Sequence, residues 1–220
     1  MLCSTLFIFQ FCFLVVFVTP SSSNQPHDHS GKVTPFVPGD PKIYLDKKAI
    51  KILKAGKPYE TQVKSGMGGR GIVTQDVQAP IDIVWGRILD YNNYAKMVPK
   101  TIESTNYKVI DVKPTRKNKL SQIIYTRMKV GFPLLKLEFF IKHMYYKSEN
   151  SMTWTLDYTR KSDLDDSCGF WYLMPHPENP KWTRVFYSGK DISCVLIRSD
   201  AIFVASAPAL ISNCAFTSNP

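Results

Sequence analysis

The chain has 220 residues, of which 44% are hydrophobic and 21% are charged, and its formal net charge is +10. This length allows one domain with a real core, or one domain and a tail, and the composition is that of an ordinary globular protein. The lysines are scattered and lack the interleaved aromatic residues of a nucleic-acid module, so no nucleic-acid partner is predicted. The excess positive charge indicates either a solvated basic surface or contact with an anionic membrane surface.

The first 23 residues are typical of a targeting segment. An apolar run extends from Leu6 to Val18, interrupted by Gln10, and small residues up to Ser23 form a cleavage signal. The run is short for a membrane span, which requires about 20 apolar residues. Two interpretations stay open. One is a cleaved signal peptide, which implies a secreted or secretory-pathway protein. The other is an uncleaved membrane anchor, for which the first positive charge at Lys32 favours a cytoplasmic body.

Three further regions follow the targeting segment. Residues 24–41 are polar and rich in Pro, Ser and His, which predicts a disordered linker. Residues 42–212 contain the predicted domain, and residues 213–220 form a polar tail. The linker holds His27 and His29, but two histidines in a mobile segment are a weak signal for a metal site.

The cysteines of the predicted mature chain are Cys168, Cys194 and Cys214. They allow at most one internal disulfide, with one thiol left over. Because no Cys-x-x-Cys or Cys/His spacing is present, the sequence predicts no metal ion and no cofactor.

The first elements of the domain are a short helix at residues 46–55, ended by Gly56, and a strand at residues 59–64. A glycine-rich sequence follows at residues 66–71. A nucleotide site would require a helix directly after it, so that the phosphate meets the helix N-terminus. Residues 72–77 are instead typical of a strand, so the glycines are predicted to form a hairpin turn.

A second helix is predicted after Pro80, which suits a first helical turn. Its apolar residues share one face at helical spacing: Ile81, Val84, Trp85 and Ile88. Trp85 is interpreted as a core residue. Turn signals then separate six predicted strands, which suggest an antiparallel meander. Their approximate ranges are residues 102–112, 120–130, 134–147, 152–159, 168–174 and 183–194.

Large apolar side chains alternate along several of these strands. The rows are Leu135, Leu137, Phe139, Ile141, His143 and Tyr145; Ile124, Thr126, Met128 and Val130; and Met152, Trp154, Leu156 and Tyr158. Alternation at a period of two places each row on one face of a sheet. The rows indicate either a packed core or a curved sheet that encloses a ligand. His143 is then either a hydrogen-bonded core histidine or a polar contact to a ligand head group.

The order of motifs from residue 71 to residue 99 resembles a known group of proteins. A strand, Ala79-Pro80, a helix with Trp85, an Asp-Tyr-x-x-Tyr sequence at residues 90–94, and Val-Pro at residues 98–99 follow one another. Together with residues 169–171 and 182–187, they are similar to the START-like polyketide cyclase and coenzyme Q-binding group, over roughly residues 45–193.

The resemblance implies an α+β helix-grip fold, in which a seven-stranded antiparallel sheet wraps around a long C-terminal helix and leaves a hydrophobic cavity. Members mostly bind or carry lipids, sterols, quinones or polyketides, and a minority catalyse cyclisation or dehydration of a polyketide. In this sequence the closing helix is expected to be short or atypical, because residues 199–211 are its only candidate and Pro208 interrupts them.

We therefore predict a protein that binds or transfers a hydrophobic small molecule. The residues predicted to line its cavity are Met128, Leu137, Phe139, Ile141, His143, Trp154, Leu156, Trp171 and Tyr187.

Two alternatives stay open. One is a cyclase or dehydratase, with His143 as the best acid or base and Tyr145, Arg127 or Asp157 as weaker candidates. Because no catalytic triad, carboxylate pair or metal motif supports it, no residue is assigned as catalytic. The other is an interaction protein that binds no ligand.

Overall fold

A computed structural model describes residues 24–65, 68–132 and 135–192. The predicted targeting segment, the candidate closing helix at residues 199–211, the polar tail, Cys194 and Cys214 lie outside these ranges. Within them, the Cys168 side chain is buried, and its Sγ donates to the carbonyl oxygen of Thr34 over 3.5 Å. No helix of the described ranges is long and apolar enough to cross a membrane.

The described helices are short. The α-helices are α1 (Lys47–Lys54), α2 (Ile81–Ile88) and α3 (Tyr94–Met97), and single 3-10 turns lie at Tyr91–Asn93 and Lys147–Glu149. The strands are β1 (Tyr59–Ser65), β2 (Gly68–Val77), β3 (Thr101–Asp111), β4 (Gln122–Phe132), β5 (Leu135–Tyr146), β6 (Ser151–Leu156), β7 (Asp166–Pro175) and β8 (Thr183–Ile192). Every predicted strand is present, with its bounds displaced by a few residues.

The strands form one antiparallel sheet in the order β1-β2-β8-β7-β6-β5-β4-β3. From β3 to β8 each strand pairs with the next in the chain, which confirms the predicted meander, and β8 then pairs with β2. The described sheet has eight strands, whereas the resemblance implied seven. β1 and β2 pair in an antiparallel register. Tyr59 lies opposite Thr74 at one end of the pair, and Ser65 lies opposite Gly68 at the other. The hairpin of β1 and β2 is therefore present as predicted, but the predicted turn at residues 66–71 is too long, because Gly68, Gly69 and Gly71 lie within β2 and take part in the strand pairing.

Local sequence explains where the first helix begins and ends. The Asp46 side chain accepts a 2.7 Å hydrogen bond from the backbone N–H of Ala49, which caps the N-terminus of α1. Gly56 follows the last turn with a φ of +70°, a conformation that favours glycine.

Residues 24–41 differ from the predicted disordered linker, because they lie along the sheet. The Phe36 ring packs edge-on against Phe170 of β7, with ring centroids 4.9 Å apart. Arg70 and Lys190 approach the same ring at 5.3 and 4.5 Å from its centroid, within the range of a cation–π contact. The backbone N–H of Gly39 donates to the Ser151 hydroxyl over 2.9 Å. These contacts cover the face of the sheet that carries Phe170.

The beginning of this segment is also anchored. His27 is 9% exposed, and its backbone N–H donates to the carbonyl of Tyr158 over 3.0 Å. Its Nδ1 accepts from the backbone N–H of Ser162, so its Nε2 donates to the carbonyl of Asp165 over 2.7 Å. Polar composition misled the linker prediction, since these polar groups are satisfied by specific partners rather than by water.

Candidate functional site

The candidate site is the face of the sheet against which α2 packs, called the inner face below. Strand pairing aligns its side chains, since Met128 lies opposite Phe139 and Trp171 lies opposite Tyr187. All the residues predicted to line a cavity lie on this face, and each is less than a tenth exposed. They are Met128, Leu137, Phe139, Ile141, His143, Trp154, Leu156, Trp171 and Tyr187. The structure therefore brings the predicted set together, while their contact with a ligand stays a prediction.

The helix α2 covers part of the inner face. It does so with the apolar side that the spacing of its hydrophobic residues predicted. Val84, Trp85 and Ile88 are buried in the same apolar cluster as the strand residues. The Trp85 ring packs against Tyr145 of β5, with centroids 4.7 Å apart. Pro80 precedes the helix, and its carbonyl accepts the first helical hydrogen bond, from Val84, over 3.2 Å.

The charged groups of β4–β7 lie on the other face of the sheet. None of the described side chains that β4–β7 place on the inner face is charged. Arg127 points away from it and pairs with Glu103 at 3.0 Å and with Glu138. Asp157 accepts a 2.6 Å hydrogen bond from Tyr107. Neither Arg127 nor Asp157 is therefore a partner for His143, and the enzymatic alternative loses these two candidates.

His143 is the polar centre of the inner face. Its ring stacks on Tyr91, with centroids 4.1 Å apart and planes inclined by 22°, and its Nδ1 lies 3.0 Å from the Tyr91 hydroxyl. The same hydroxyl lies 3.3 Å from Sδ of Met152. The Nε2 atom of His143 is buried and has no hydrogen-bond partner among the described residues.

Burial lowers the pKa of His143 from 6.5 to about 3, because the imidazolium loses its hydration in the apolar interior. The side chain is therefore neutral near pH 7. Such a pKa is far from the value near the working pH that an efficient general acid or base requires. His143 is better suited to hydrogen bonding than to proton transfer.

Sequence reasoning did not select Tyr91 as a site residue. Two features of the sequence could have indicated that Tyr91 is buried. It lies in the Asp-Tyr-x-x-Tyr motif, and it follows Ile88, the last residue of the apolar helical face, by three positions. The side chain is 2% exposed, and burial raises the pKa of its hydroxyl well above the ordinary value. The phenol therefore keeps its proton.

A row of glycines crosses the inner face beside this polar centre. Gly71, Gly189 and Gly169 are cross-strand neighbours on β2, β8 and β7. Trp154 and then His143 continue the row on β6 and β5. Glycine in a strand marks a place where another group approaches the backbone closely. The Trp154 ring lies over Gly169, so Gly71 and Gly189 mark the part of this row that carries no side chain.

Gly169 makes the position of Trp154 possible, and we predict that Gly169→Ala destabilises the fold. A Cβ at Gly169 would lie 2.4 Å from the Trp154 ring and 2.4 Å from the carbonyl oxygen of Ser188. Overpacking of this kind costs about 1–3 kcal/mol of unfolding free energy, measured by urea denaturation. The matched control is Gly86→Ala in α2, where a Cβ meets nothing within 4 Å. It should stabilise by up to about 1 kcal/mol. Equal effects of the two substitutions would contradict the prediction.

A polar cavity opens on the opposite face of the sheet. Its volume is about 280 Å³. Tyr107 and Tyr125 line it with cations above their rings, Arg160 at 4.5 Å and Lys108 at 5.2 Å from the respective centroids. The Asp157 carboxylate completes its lining with Thr159. These charges make it unsuitable for an apolar ligand. The described ranges also contain no cluster of three or more His, Cys, Asp or Glu side chains that could hold a metal ion.

The fold is similar to solved structures, although no family model and no curated protein matches the sequence. One is a STAR-related lipid transfer protein from Xanthomonas axonopodis, at 16% identity and a TM-score of 0.50, over 72% of this chain and 92% of that chain. Another is a protein from Thermus thermophilus, at 13% identity and a TM-score of 0.49, over 73% of this chain and all of that chain.

A third is an aromatase/cyclase from a Streptomyces species, at 12% identity and a TM-score of 0.42, over 72% of this chain and 88% of that chain. At such identities a structural likeness establishes the fold alone. The chain therefore has the α+β, START-like helix-grip fold that its motifs implied.

Proposed function

We propose that the protein binds a hydrophobic small molecule against the inner face of its sheet. The observation that carries this proposal is the uncharged, apolar wall of β4–β7 next to Gly71 and Gly189. Ligand sites are typically apolar concave surfaces with a few placed polar groups, and His143 and Tyr91 supply such groups. The similarity of the fold to a STAR-related lipid transfer protein supports the same function.

Burial of apolar surface would provide most of the affinity. At about 25 cal/mol per Å², a ligand that loses roughly 300 Å² of apolar surface to the protein gains about 7 kcal/mol before the cost of ordering it. Because the described inner face of β4–β7 presents no charge, a charged group placed there would lose its hydration without an ionic partner. The favoured ligands are therefore lipid-like, sterol-like, quinone-like or polyketide-like molecules.

The proposal extends to the place where the ligand is collected. The apolar run within residues 1–23 supports entry into the secretory pathway, with retention as a membrane anchor as the alternative. The net charge of +10 supports transient docking on an anionic membrane, where a lipid-like ligand is available. Fractionation of cells that express the full chain tests the location, and binding to vesicles with and without anionic lipid tests the docking.

The ligand is sought by native mass spectrometry of the purified full chain, followed by organic extraction. We expect a non-protein mass that is released into the organic phase. Addition of apolar molecules should also change tryptophan fluorescence, and Trp154→Phe should reduce that change because Trp154 lies on the inner face. The matched control is Trp182→Phe, outside the inner-face cluster, which should leave it intact. Protein that is repeatedly empty and does not respond to offered sterols, fatty alcohols or phospholipids would refute the proposal.

A further inference from the structure

The Tyr91 hydroxyl determines which nitrogen of His143 carries the proton. This hydroxyl lies 3.0 Å from Nδ1 of His143 and 3.3 Å from Sδ of Met152, both within hydrogen-bond distance. A phenol has one proton to donate, and a thioether can only accept. Both contacts are hydrogen bonds only if Tyr91 donates to Met152 while Nδ1–H of His143 donates to the phenolic oxygen.

This arrangement leaves Nε2 of His143 as an acceptor. A neutral imidazole carries one proton, so a protonated Nδ1 implies an unprotonated Nε2 with a free lone pair. The atom is buried and has no partner among the described residues. A buried polar atom without a hydrogen bond has lost its hydration without compensation, and such atoms in native proteins require an explanation. A donor supplied by a ligand would provide that compensation.

The surroundings restrict what that donor can be. His143 is 4% exposed and lies two strands from Gly169, or roughly 10 Å at the usual spacing of about 4.8 Å between strands. Trp154 lies between them in the same cross-strand row. A ligand that extends from Gly189 across the Trp154 ring therefore reaches His143 with one end. An ammonium group at that end would remain without a counter-ion, since the described inner face of β4–β7, on which His143 lies, has no carboxylate.

We propose that the inner face selects an uncharged apolar molecule that ends in a hydroxyl group, which donates a hydrogen bond to Nε2 of His143. This inference rests on the proposed function and specifies the chemical class of its ligand. A carboxylate is disfavoured for two reasons. Its oxygens are repelled by the lone pair of Nε2, and its charge loses its hydration on the inner face. A ketone or a methyl ether fits the same space but offers no donor.

The test compares straight-chain molecules of one length that end in a hydroxyl, a methyl ether, a ketone, a carboxylate or an amine, together with the hydrocarbon. Binding to the full chain is measured by isothermal calorimetry. The alcohol should bind about tenfold tighter than the ether, which corresponds to one hydrogen bond. Equal affinities for alcohol and ether, or tighter binding of the ketone or the carboxylate, would overturn the inference and leave the proposed function standing. If no probe binds, the hydrocarbon included, the proposed function fails and this inference with it.

Two variants assign the preference to the proposed atoms. His143→Phe should abolish the preference for alcohol over ether, because it removes the acceptor nitrogen. Tyr91→Phe removes the acceptor of Nδ1–H, so the proton can move to Nε2, and the preference should shift towards the ketone. Tyr125→Phe, on the opposite face, is the matched control and should keep the preference. If His143→Phe does not fold, nitrogen NMR of the unmodified protein decides: protonated Nδ1 supports the inference, and protonated Nε2 overturns it.

Discussion

Acidification from about pH 7 to about pH 4 should lower the free energy of unfolding by roughly 3 kcal/mol through His143 alone. The pKa of this side chain is about 3 in the folded protein and 6.5 when it is not buried. Between these values the unfolded chain binds a proton that the folded protein excludes. The stability contributed by the neutral side chain is therefore complete above pH 6.5 and is lost as the pH falls towards 3, at about 1.4 kcal/mol per pH unit.

The measurement is a series of urea denaturation curves across this pH range for the unmodified protein and for His143→Phe. Carboxylates that titrate below pH 5 act equally in both proteins, so the difference between the two pH profiles isolates His143. The variant should lose stability less steeply on acidification. Parallel profiles would mean that His143 is hydrated or already protonated in the folded state, which would contradict its assignment as a buried neutral acceptor.

The inner face could be predicted from the sequence because alternation determines which side of a strand is buried. In β5, Leu137, Phe139 and Ile141 alternate with the charged residues Glu138 and Lys142, and a one-residue shift in register would move the whole apolar row to the other face. The same argument applies to β4 and β6. The strands and their faces were therefore predictable from local pattern, without any knowledge of which strands pair.

The features that were missed depend on single contacts between distant residues. Tyr91 and His143 are 52 positions apart, and no local periodicity reports that a turn after α2 brings the phenol onto β5. Residues 24–41 have the composition of a disordered segment, yet Phe36 and His27 bind to partners on β7 and on the loop before it. Composition averages over such residues, whereas a few specific contacts determine where the segment lies.

Substitution of Asp76 by alanine should cost about 3–5 kcal/mol of unfolding free energy, because it leaves a buried arginine without its counter-ion. Asp76 on β2 lies opposite Arg184 on β8, and the guanidinium donates to both carboxylate oxygens, over 2.6 and 2.8 Å. His176 approaches the same carboxylate at 3.1 Å. The side chains of Asp76 and Arg184 are 5% and 9% exposed, so water cannot replace the lost partner. Urea denaturation near pH 7 measures the loss.

The control is Asp40→Ala, which removes the partner of Lys42 from an exposed ion pair and should leave stability almost unchanged. The double variant Asp76→Leu with Arg184→Met should recover most of the loss, since an unpaired charge costs more than the absence of the pair. A small effect of Asp76→Ala would show that water reaches the contact between β2 and β8.

The loss of the ion pair should also affect the ligand site, because the same pairing of β2 with β8 aligns Gly71 with Gly189. Loss of stability at Asp76 should therefore be accompanied by weaker binding of the apolar probes, whereas Asp40→Ala should change neither.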